Sequence, residues 1–358
     1  MNAIHPYGPT AARKQAKPGR DVRPQSITVD IHSHVAVPAA AELVKGHLDP
    51  ATIPLAHFST GETKQVSQRQ EADRRGRITG LDGGLADRLR DLDHMGIDLQ
   101  LVMPPPPQLY FTVPIEIAVK AMRVVNDGIA EYVARTPDRF VALGGVPLQD
   151  GQEAAKELER CMKQLGFKGV EILTNVGGRE LSDAAFAPFW QKAEALGALV
   201  VIHPNGFTEA KRLTRFYFNN VIGNPLETAL ALHYLIFDGV LARHPHLKIL
   251  AVHGAGYLGG YSGRIDHAWG ARPDCHANLP DPPTAYLKKV YVDSVVFTPH
   301  QLKALVDVFG ADRVLMGTDY PFDMGEYDPI GHVGSVDSFD DETRAAIAGG
   351  NAKRLLQI

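Results

Sequence analysis

The stretch Val29-Asp30-Ile31-His32-Ser33-His34 decides how this chain is interpreted. A short apolar, β-branched run predicts a buried strand, and this one ends in two histidines. Side chains alternate between the two faces of a strand, so His32 and His34 share a face and can reach the same metal ion. Alone, the pair is a weak signal, because a histidine at a strand end is more often a hydrogen-bonded structural residue. Its meaning depends on the other strands.

The first apolar run, at 27–31, is followed by further runs along the chain, at 97–103, 140–146, 169–173, 199–202, 247–252, 290–292 and 313–316. Segments with helical periodicity lie between them, at 85–95, 116–135, 152–165, 183–196 and 226–242. Near-continuous apolar runs are typical of parallel strands that are covered on both faces. Eight such strands with intervening helices predict an α/β fold, a (β/α)8 TIM-type barrel. An open doubly wound sheet also fits the alternation, but the residues at the strand ends favour the barrel.

Metal-binding side chains recur where the predicted strands end. His203 follows the fifth run, His253 the sixth and Asp319 the eighth. In a barrel the carboxyl ends of all strands meet at one face, which carries the active site. His32, His34, His203 and Asp319 then form a set that suits Zn²⁺, with Mn²⁺ or Co²⁺ as alternatives, and leaves room for substrate. Asp319 as a helix N-cap is a second interpretation, which Pro321 disfavours.

Three segments fall outside the barrel repeat. Residues 1–26 are rich in proline and basic side chains and poor in large apolar ones, which predicts a mobile N-terminal arm before a single barrel domain at 27–358. Residues 59–84 are polar and glycine-rich and predict an inserted loop over the barrel mouth. The proline-rich residues 270–286 predict a rigid excursion between strands six and seven.

Composition narrows the function classes. The 358 residues carry a net charge of −4, with 37 Lys and Arg against 41 Asp and Glu, which argues against a nucleic-acid binder. No apolar run approaches the ~20 residues of a membrane span, and the N-terminus lacks the order of a signal peptide. Two cysteines, Cys161 and Cys275, make no disulfide framework. We therefore expect a cytoplasmic enzyme with no nucleic-acid or membrane partner.

Several local motifs resemble the amidohydrolase superfamily, and within it the amidohydrolase-2 branch of metal-dependent decarboxylases. The resemblance runs from about Val29 to the C-terminus. It is carried by Asp30-Ile31-His32-Ser33-His34, Glu159-Arg160-Cys161-Met162-Lys163-Gln164-Leu165-Gly166-Phe167, Gly263-Arg264-Ile265-Asp266-His267, Arg272-Pro273-Asp274 and Gly317-Thr318-Asp319-Tyr320-Pro321-Phe322.

The resemblance implies roles for individual residues. It makes His32, His34, His203 and Asp319 zinc ligands, and His253 a catalytic histidine that acts with Asp319 on the metal-bound water. It implies that Arg264 reaches the neighbouring subunit's site and binds a substrate carboxylate, hence a homodimer. From the residues alone, the favoured interpretation of Arg264 is a charge on a helix surface.

Substrate contacts are less clearly marked. The family's arginine after strand one falls within 59–84, where Arg77 is the candidate and Arg75 the alternate. Asn205 stands where the family has an aromatic pocket wall, and Asn175 where it has a histidine. Phe322 follows the eighth strand and completes the candidate pocket.

These features predict a zinc-dependent, non-oxidative decarboxylase of a small carboxylated aromatic or muconate-semialdehyde-type substrate in aromatic catabolism. A metal-dependent hydrolase or hydratase on the same barrel is the alternative, since Asn175 and Asn205 depart from the family pattern. A barrel that keeps zinc for structure is a third interpretation, which the absence of cysteine ligands disfavours.

Overall fold

A computed structural model describes residue 19 and residues 23–276 and 279–358. Most of the predicted N-terminal arm lies outside these residues. Of the part described, Arg23 pairs with the carboxylate of Asp98 and lies beside Thr28. The division into an arm and a single domain stays a prediction.

The predicted barrel is confirmed. Its eight strands are β1 (Val29–His34), β2 (Leu99–Met103), β3 (Phe140–Ala142, continued by Gly144–Gly145), β4 (Gly169–Leu173), β5 (Leu199–His203), β6 (Lys248–Ala251), β7 (Val290–Asp293) and β8 (Val314–Leu315). Neighbouring strands pair in parallel throughout, from β1 to β3 and from β3 to β8. The ring closes between β8 and β1, where Ile31 N donates to Met316 O at 2.9 Å. A short hairpin, Asn175–Val176 with Arg179–Glu180, extends from the end of β4.

Helices surround this barrel and cap its two ends. The α-helices are α1 (Pro38–Val44), α2 (Pro54–His57), α3 (Gly61–Thr79), α4 (Gly84–Met95), α5 (Ile115–Ala134), α6 (Gly151–Lys163), α7 (Ala187–Leu196), α8 (Asn224–Phe237), α9 (Val240–Arg243), α10 (Ser262–Ala271), α11 (Pro273–His276), α12 (Pro283–Leu287), α13 (Pro299–Phe309), α14 (Pro329–Gly334), α15 (Asp341–Ala345) and α16 (Asn351–Leu356). α16 packs Leu355 and Leu356 against the side chains inside the barrel.

Alternate residues of each strand build two separate apolar layers. Leu199 and Val201 of β5 pack inside the barrel, whereas Val200 and Ile202 pack under the surrounding helices. This alternation puts His203 in phase with the interior residues, at the carboxyl end of the strand. The burial of both faces explains why the strands are near-continuous apolar runs in the sequence.

Strand β1 departs from strict alternation. Its pairing with β2 shifts between Asp30 and Ser33, so that one extra residue is accommodated as a β-bulge. Val29 and Ile31 pack inside the barrel, and after the bulge His32 and His34 also face the interior. The bulge therefore turns His32 and His34 toward the barrel interior. Without it, strict alternation from Val29 and Ile31 would point both histidines outward.

One of the two inserted regions differs from its predicted form. The prediction of a loop at 59–84 is wrong, because this region contains the 19-residue helix α3 and the start of α4. α3 buries none of its residues, so it carries none of the apolar periodicity that marks a packed helix. The excursion at 270–286 contains the short helices α11 and α12.

No helix in the described part of the chain is both long and apolar enough to cross a membrane. The expected cytoplasmic location stays a prediction.

Candidate metal centre and active site

The four predicted ligands meet at the carboxyl ends of the strands. His32 Nε2 lies 3.2 Å from His34 Nε2 and 3.3 Å from Asp319 Oδ1. His34 Nε2 lies 3.2 Å from the same oxygen. The ring of His203 is 5.1 Å from that of His32 and 5.2 Å from that of His34, measured between centroids. All four side chains are buried.

A hydrogen bond at Nδ1 of each imidazole fixes Nε2 as the nitrogen that faces the cluster. His34 Nδ1 lies 3.2 Å from Pro104 O, and His203 Nδ1 lies 2.7 Å from Pro204 O. A carbonyl oxygen can only accept, so each Nδ1 carries the proton and each Nε2 presents its lone pair. His32 Nδ1 lies 2.7 Å from the carboxylate oxygen Oδ2 of Asp293, which has the same effect.

The convergence of these lone pairs fits a divalent cation. Three imidazole Nε2 atoms and a carboxylate oxygen repel one another unless a positive charge lies among them. His203 Nε2 is buried and has no hydrogen-bond partner among the described residues, which leaves it free to bind a metal. Imidazole and carboxylate donors in this number suit Zn²⁺ and similar divalent metals.

His253 stands beside the cluster but differs from the other histidines. Its Nε2 lies 3.6 Å from Asp319 Oδ2, and its side chain is 16% exposed. With His32, His203 and Asp319 it forms a group whose possible ligand atoms all lie within 4.8 Å of one another. Its Nδ1, however, has no hydrogen-bond partner among the described residues. Since no acceptor fixes its tautomer, His253 is better suited to move a proton than to hold a metal.

Burial and neighbouring charges set the pKa values of the cluster. Burial, together with the adjacent His32, lowers the pKa of His34 to about 4. Burial and the neighbouring histidines hold the pKa of His203 well below its usual value. Burial alone would raise the pKa of Asp319, but His32, His253 and His34 bring it well below its usual value. At neutral pH His34, His203 and Asp319 are therefore in the forms that bind a metal, neutral imidazole and ionised carboxylate. His32 differs: burial alone would lower its pKa, but the charges of Asp319 and Asp293 raise it above its usual value.

A buried carboxylate on β1 holds the Asp319 loop in place. Asp30 Oδ1 accepts from His32 N and from Thr318 N, both at 3.0 Å, and Oδ2 accepts from Thr318 Oγ1 at 2.6 Å. Asp319 itself adopts a left-handed φ of 61° and His253 one of 54°. Such conformations are costly for residues other than glycine and persist where the surrounding structure enforces them.

A cavity of about 390 Å³ opens above the cluster; we call it the metal cavity. It is bounded by His203, His253 and Asp319 below and by one face of α3 above. That face presents polar side chains three or four residues apart: Lys64, Ser67, Gln68, Glu71 and Arg74. The helix that sequence periodicity missed therefore forms the cavity wall.

The structure separates the candidate arginines. Arg77 is not among the described residues that line the metal cavity, and its Nε donates to Asp91 Oδ2 at 2.8 Å. Arg75 is exposed. Arg74 does line the cavity, and its guanidinium lies 4.7 Å from the centroid of the Phe322 ring. The helical phase of α3 singles out Arg74, and this phase was not readable from a segment predicted as a loop.

Two other predicted contacts lie in the cavity wall, whereas Arg264 does not. Asn205 and Phe322 both line the metal cavity, and the Phe322 ring lies 5.0 Å from that of His34. Arg264 is exposed on α10 and is not among the described lining residues. Its predicted role would require a second subunit.

Sequence reasoning missed Asp293 and Glu171. Asp293 ends β7, one residue beyond the run predicted there, so the rule that found His203 could also have found it. Glu171 on β4 is fully buried, and neither carboxylate oxygen has a hydrogen-bond partner among the described residues. Burial, with the nearby charge of Asp319, holds its pKa well above the usual range. A single acidic residue within an apolar run gives no signal of this placement.

Comparison with known proteins agrees with this geometry. The family model described as amidohydrolase matches residues 29–358. The chain belongs to this family. The match begins at β1 and therefore includes every strand that supplies a metal-site residue.

Several similar proteins are decarboxylases. A 2-amino-3-carboxymuconate-6-semialdehyde decarboxylase of Dictyostelium discoideum is 32% identical, over 93% of this chain and 92% of the relative. A gamma-resorcylate decarboxylase of Rhizobium radiobacter is 29% identical, over 76% of this chain and 86% of the relative. A crystal structure of 5-carboxyvanillate decarboxylase from Novosphingobium aromaticivorans, which contains manganese, superposes with a TM-score of 0.81. It is 23% identical and covers 95% of this chain and 99% of that one. The two sequence relatives match the enzyme class predicted from the sequence, and the solved structure matches the predicted fold.

Proposed function

We propose that this protein is a metal-dependent, non-oxidative decarboxylase of a small carboxylated aromatic or muconate-semialdehyde-type substrate, with a role in aromatic catabolism. One observation carries the proposal. The Nε2 atoms of His32, His34 and His203 converge with Asp319 at the floor of a cavity whose wall carries the cation of Arg74. The activities of the relatives support it.

Zinc is the proposed metal, with Mn²⁺ or Co²⁺ as possible replacements. Three neutral imidazoles and one carboxylate suit Zn²⁺, and the related manganese-containing structure shows that metal in a similar barrel. When bound, the metal supplies Lewis-acid polarisation of a substrate oxygen. Ligand type alone does not select among these metals, because cellular availability contributes.

Arg74 binds the substrate carboxylate in this proposal. A guanidinium can bind a carboxylate through two parallel hydrogen bonds, and Arg74 is held over the ring of Phe322. Phe322 in turn contacts His34, so a carboxylate on Arg74 lies near the metal ligands. The sequence-based choice of Arg77 stays a prediction, and its pairing with Asp91 favours Arg74 instead.

His253 moves the proton. Its Nε2 lies at the cavity floor, 3.6 Å from Asp319 Oδ2, where a bound substrate comes within reach of a proton transfer. The imidazolium gives its proton to the substrate carbon that carries the carboxylate. The carbon–carbon bond then breaks, CO₂ leaves, and the electron pair returns to the conjugated system. The two oxygens of Asp319 thus divide their roles, with Oδ1 facing the metal ligands and Oδ2 facing His253.

The proposed assembly is a homodimer in which Arg264 reaches the partner's site. Tyr257 and Tyr261, which precede Arg264, are 44% and 74% exposed, and exposed aromatic residues are enriched at subunit interfaces. The proposal predicts complementation between two inactive variants, Arg264→Ala and His253→Ala. In a randomly assorted mixture about a quarter of the sites would carry neither defect, because half of the dimers are mixed and each has one intact site. Failure to recover activity from a verified mixed dimer would contradict it.

Release of CO₂ tests the proposed reaction. Zinc-loaded enzyme is given a panel of ortho-hydroxybenzoates and carboxymuconate semialdehydes, with and without chelator. We expect release that disappears with chelator and returns with zinc. If fully loaded enzyme released no CO₂ but consumed a compound by adding water, the decarboxylase proposal would be replaced by the hydrolase or hydratase alternative.

A further inference from the structure

A second cavity adjoins the metal cavity; we call it the side chamber. It has a volume of about 580 Å³. Four residues line both cavities: Ile53, Pro106, Pro107 and Asn205. Because these four residues face both cavities, the two cavities lie directly beside each other.

The two cavities differ sharply in charge. The metal cavity is lined by charged side chains, among them Lys64, Glu71, Arg74, Asp319 and Asp323. No charged side chain occurs among the described residues that line the side chamber. Its wall combines apolar residues, among them Ile53, Pro106 and Tyr110, with uncharged polar ones, among them Thr174, Asn175 and Thr208. Such a wall favours an uncharged group, since burying a charge there would leave it without a counter-ion.

The chamber wall is held in place by hydrogen bonds that join two loops. Asn175 Nδ2 donates to Glu227 Oε1 at 2.7 Å, and Asn175 Oδ1 accepts from Gly178 N at 3.0 Å. Glu227 is buried on α8, and its other oxygen accepts from Thr208 N at 3.2 Å. One carboxyl group therefore joins the loops that follow β4 and β5. The amide nitrogen and the amide oxygen of Asn175 both have hydrogen-bond partners, so its side chain is held in place in the wall.

Tyr110 adds a residue with a strained backbone to the chamber wall. Its φ is 51°, a left-handed conformation that is unfavourable for an aromatic residue, and its side chain is buried. Gln149 Nε2 donates to Tyr110 O at 2.8 Å and holds that backbone. Backbone strain of this kind is retained where a residue is kept in a particular position.

We propose that the side chamber binds an uncharged, largely apolar substituent of the substrate while the substrate carboxylate occupies the metal cavity. This inference rests on the proposed decarboxylase function and specifies its substrate class. The preferred substrate is then a carboxylate whose far end carries an alkyl, alkoxy or aryl group, and a second anionic group in that position is rejected.

Substituted ortho-hydroxybenzoates test the chamber. For each free ring position, kcat/KM is measured with hydrogen, methyl, propyl and carboxylate as the substituent. At the position that faces the chamber, we expect kcat/KM to rise by about threefold to fourfold per buried methylene. The carboxylate at the same position is expected to lower kcat/KM below that of the unsubstituted compound.

A chamber-filling variant provides the structural control. Ala51 is exposed and lines the chamber, so Ala51→Phe adds a ring there without disturbing the core. Ala39 is exposed on α1 and lines neither cavity, so Ala39→Phe is its matched control. We expect Ala51→Phe to abolish the gain from the propyl group and to leave kcat/KM for the unsubstituted compound unchanged. Ala39→Phe should change neither.

Binding of an unreactive pair separates this inference from the proposed function. The affinities of phenol and 4-propylphenol are measured by titration calorimetry on wild type and both variants. Tighter binding of 4-propylphenol that is lost only in Ala51→Phe supports the chamber, even if no benzoate releases CO₂. The inference is overturned if the propyl group gives no gain in wild type, or if the gain survives in Ala51→Phe.

Discussion

Replacing Asp293 by asparagine should weaken metal binding through the tautomer of His32. Asp293 Oδ1 accepts from Gly254 N at 2.9 Å and from Val295 N at 3.2 Å, while Oδ2 faces His32 Nδ1 at 2.7 Å. In Asp293→Asn the amide oxygen must stay with the two backbone donors, which puts the NH₂ group against His32 Nδ1. Two donors cannot share that contact, so the His32 proton is driven to Nε2, the atom that faces the metal ligands.

The expected loss of metal affinity follows from the hydrogen bond between His32 and Asp293. Removing the hydrogen-bond partner of a metal-ligating histidine costs about 10- to 100-fold in metal affinity, or about 1.4 to 2.8 kcal/mol. The present pair lies at the upper end of that range, because both groups are fully buried and the replacement opposes the required tautomer. In addition, burial raises the pKa of Asp293 but the bond to His32 brings it below its usual value, so a full negative charge is lost.

Chelator competition on metal-free protein measures this change directly as the Kd for Zn²⁺. The matched control is Asp91→Asn, which also removes a carboxylate that accepts two side-chain bonds, from Tyr320 Oη and Arg77 Nε, but touches no metal ligand. We expect the control to bind Zn²⁺ within about twofold of wild type, because this half-buried carboxylate contacts no metal ligand and its charge is partly screened by solvent. A folded Asp293→Asn protein with wild-type Kd would refute the tautomer argument.

Further outcomes follow from the same geometry. His253→Ala should retain its metal and lose nearly all turnover, and a variant with wild-type CO₂ release would remove His253 from the mechanism. Arg74→Ala should raise KM for the carboxylate by tenfold or more, about the energy of one charge-assisted pair, whereas Arg77→Ala should change it little; the reverse order would restore the sequence-based choice. Glu171→Gln should stabilise the protein relative to wild type by an amount that grows as pH rises above the ordinary pKa of glutamate. Above that pH the unfolded wild-type chain loses the Glu171 proton while the folded chain keeps it, which lowers the stability of wild type, whereas glutamine does not ionise. The difference in Tm between variant and wild type should therefore grow from pH 4.5 to pH 8, and a constant difference would contradict a carboxyl held protonated.

The placement of the metal ligands was largely predictable from the sequence. Strand position is a local property, encoded in short apolar runs, and the barrel brings all carboxyl ends together. His203 and Asp319 could therefore be assigned to one site although 116 positions separate them in the sequence. The same rule applied to β7 would have added Asp293, had the predicted strand been extended by one residue.

The substrate side of the site was less predictable. Helix α3 packs a polar face against a polar cavity, and it buries no residue. Sequence periodicity detects helices through the apolar stripe that they bury, so a helix without one resembles a loop. Without its phase, Arg74, Arg75 and Arg77 were indistinguishable, although Arg74 and Arg77 lie about 4.5 Å apart along the helix axis.

The barrel and the identity of the groups at its mouth could be deduced from the sequence, because both follow from local pattern and strand order. The orientation of those groups depends on contacts between distant parts of the chain. The β-bulge in β1 turns His32 and His34 inward after Val29 and Ile31 have already faced inward, and a bulge is defined by pairing with β2, not by the residues of β1. The acceptors Asp293, Pro104 O and Pro204 O then select the nitrogen that faces the metal. These contacts join distant parts of the chain, and no local pattern encodes them.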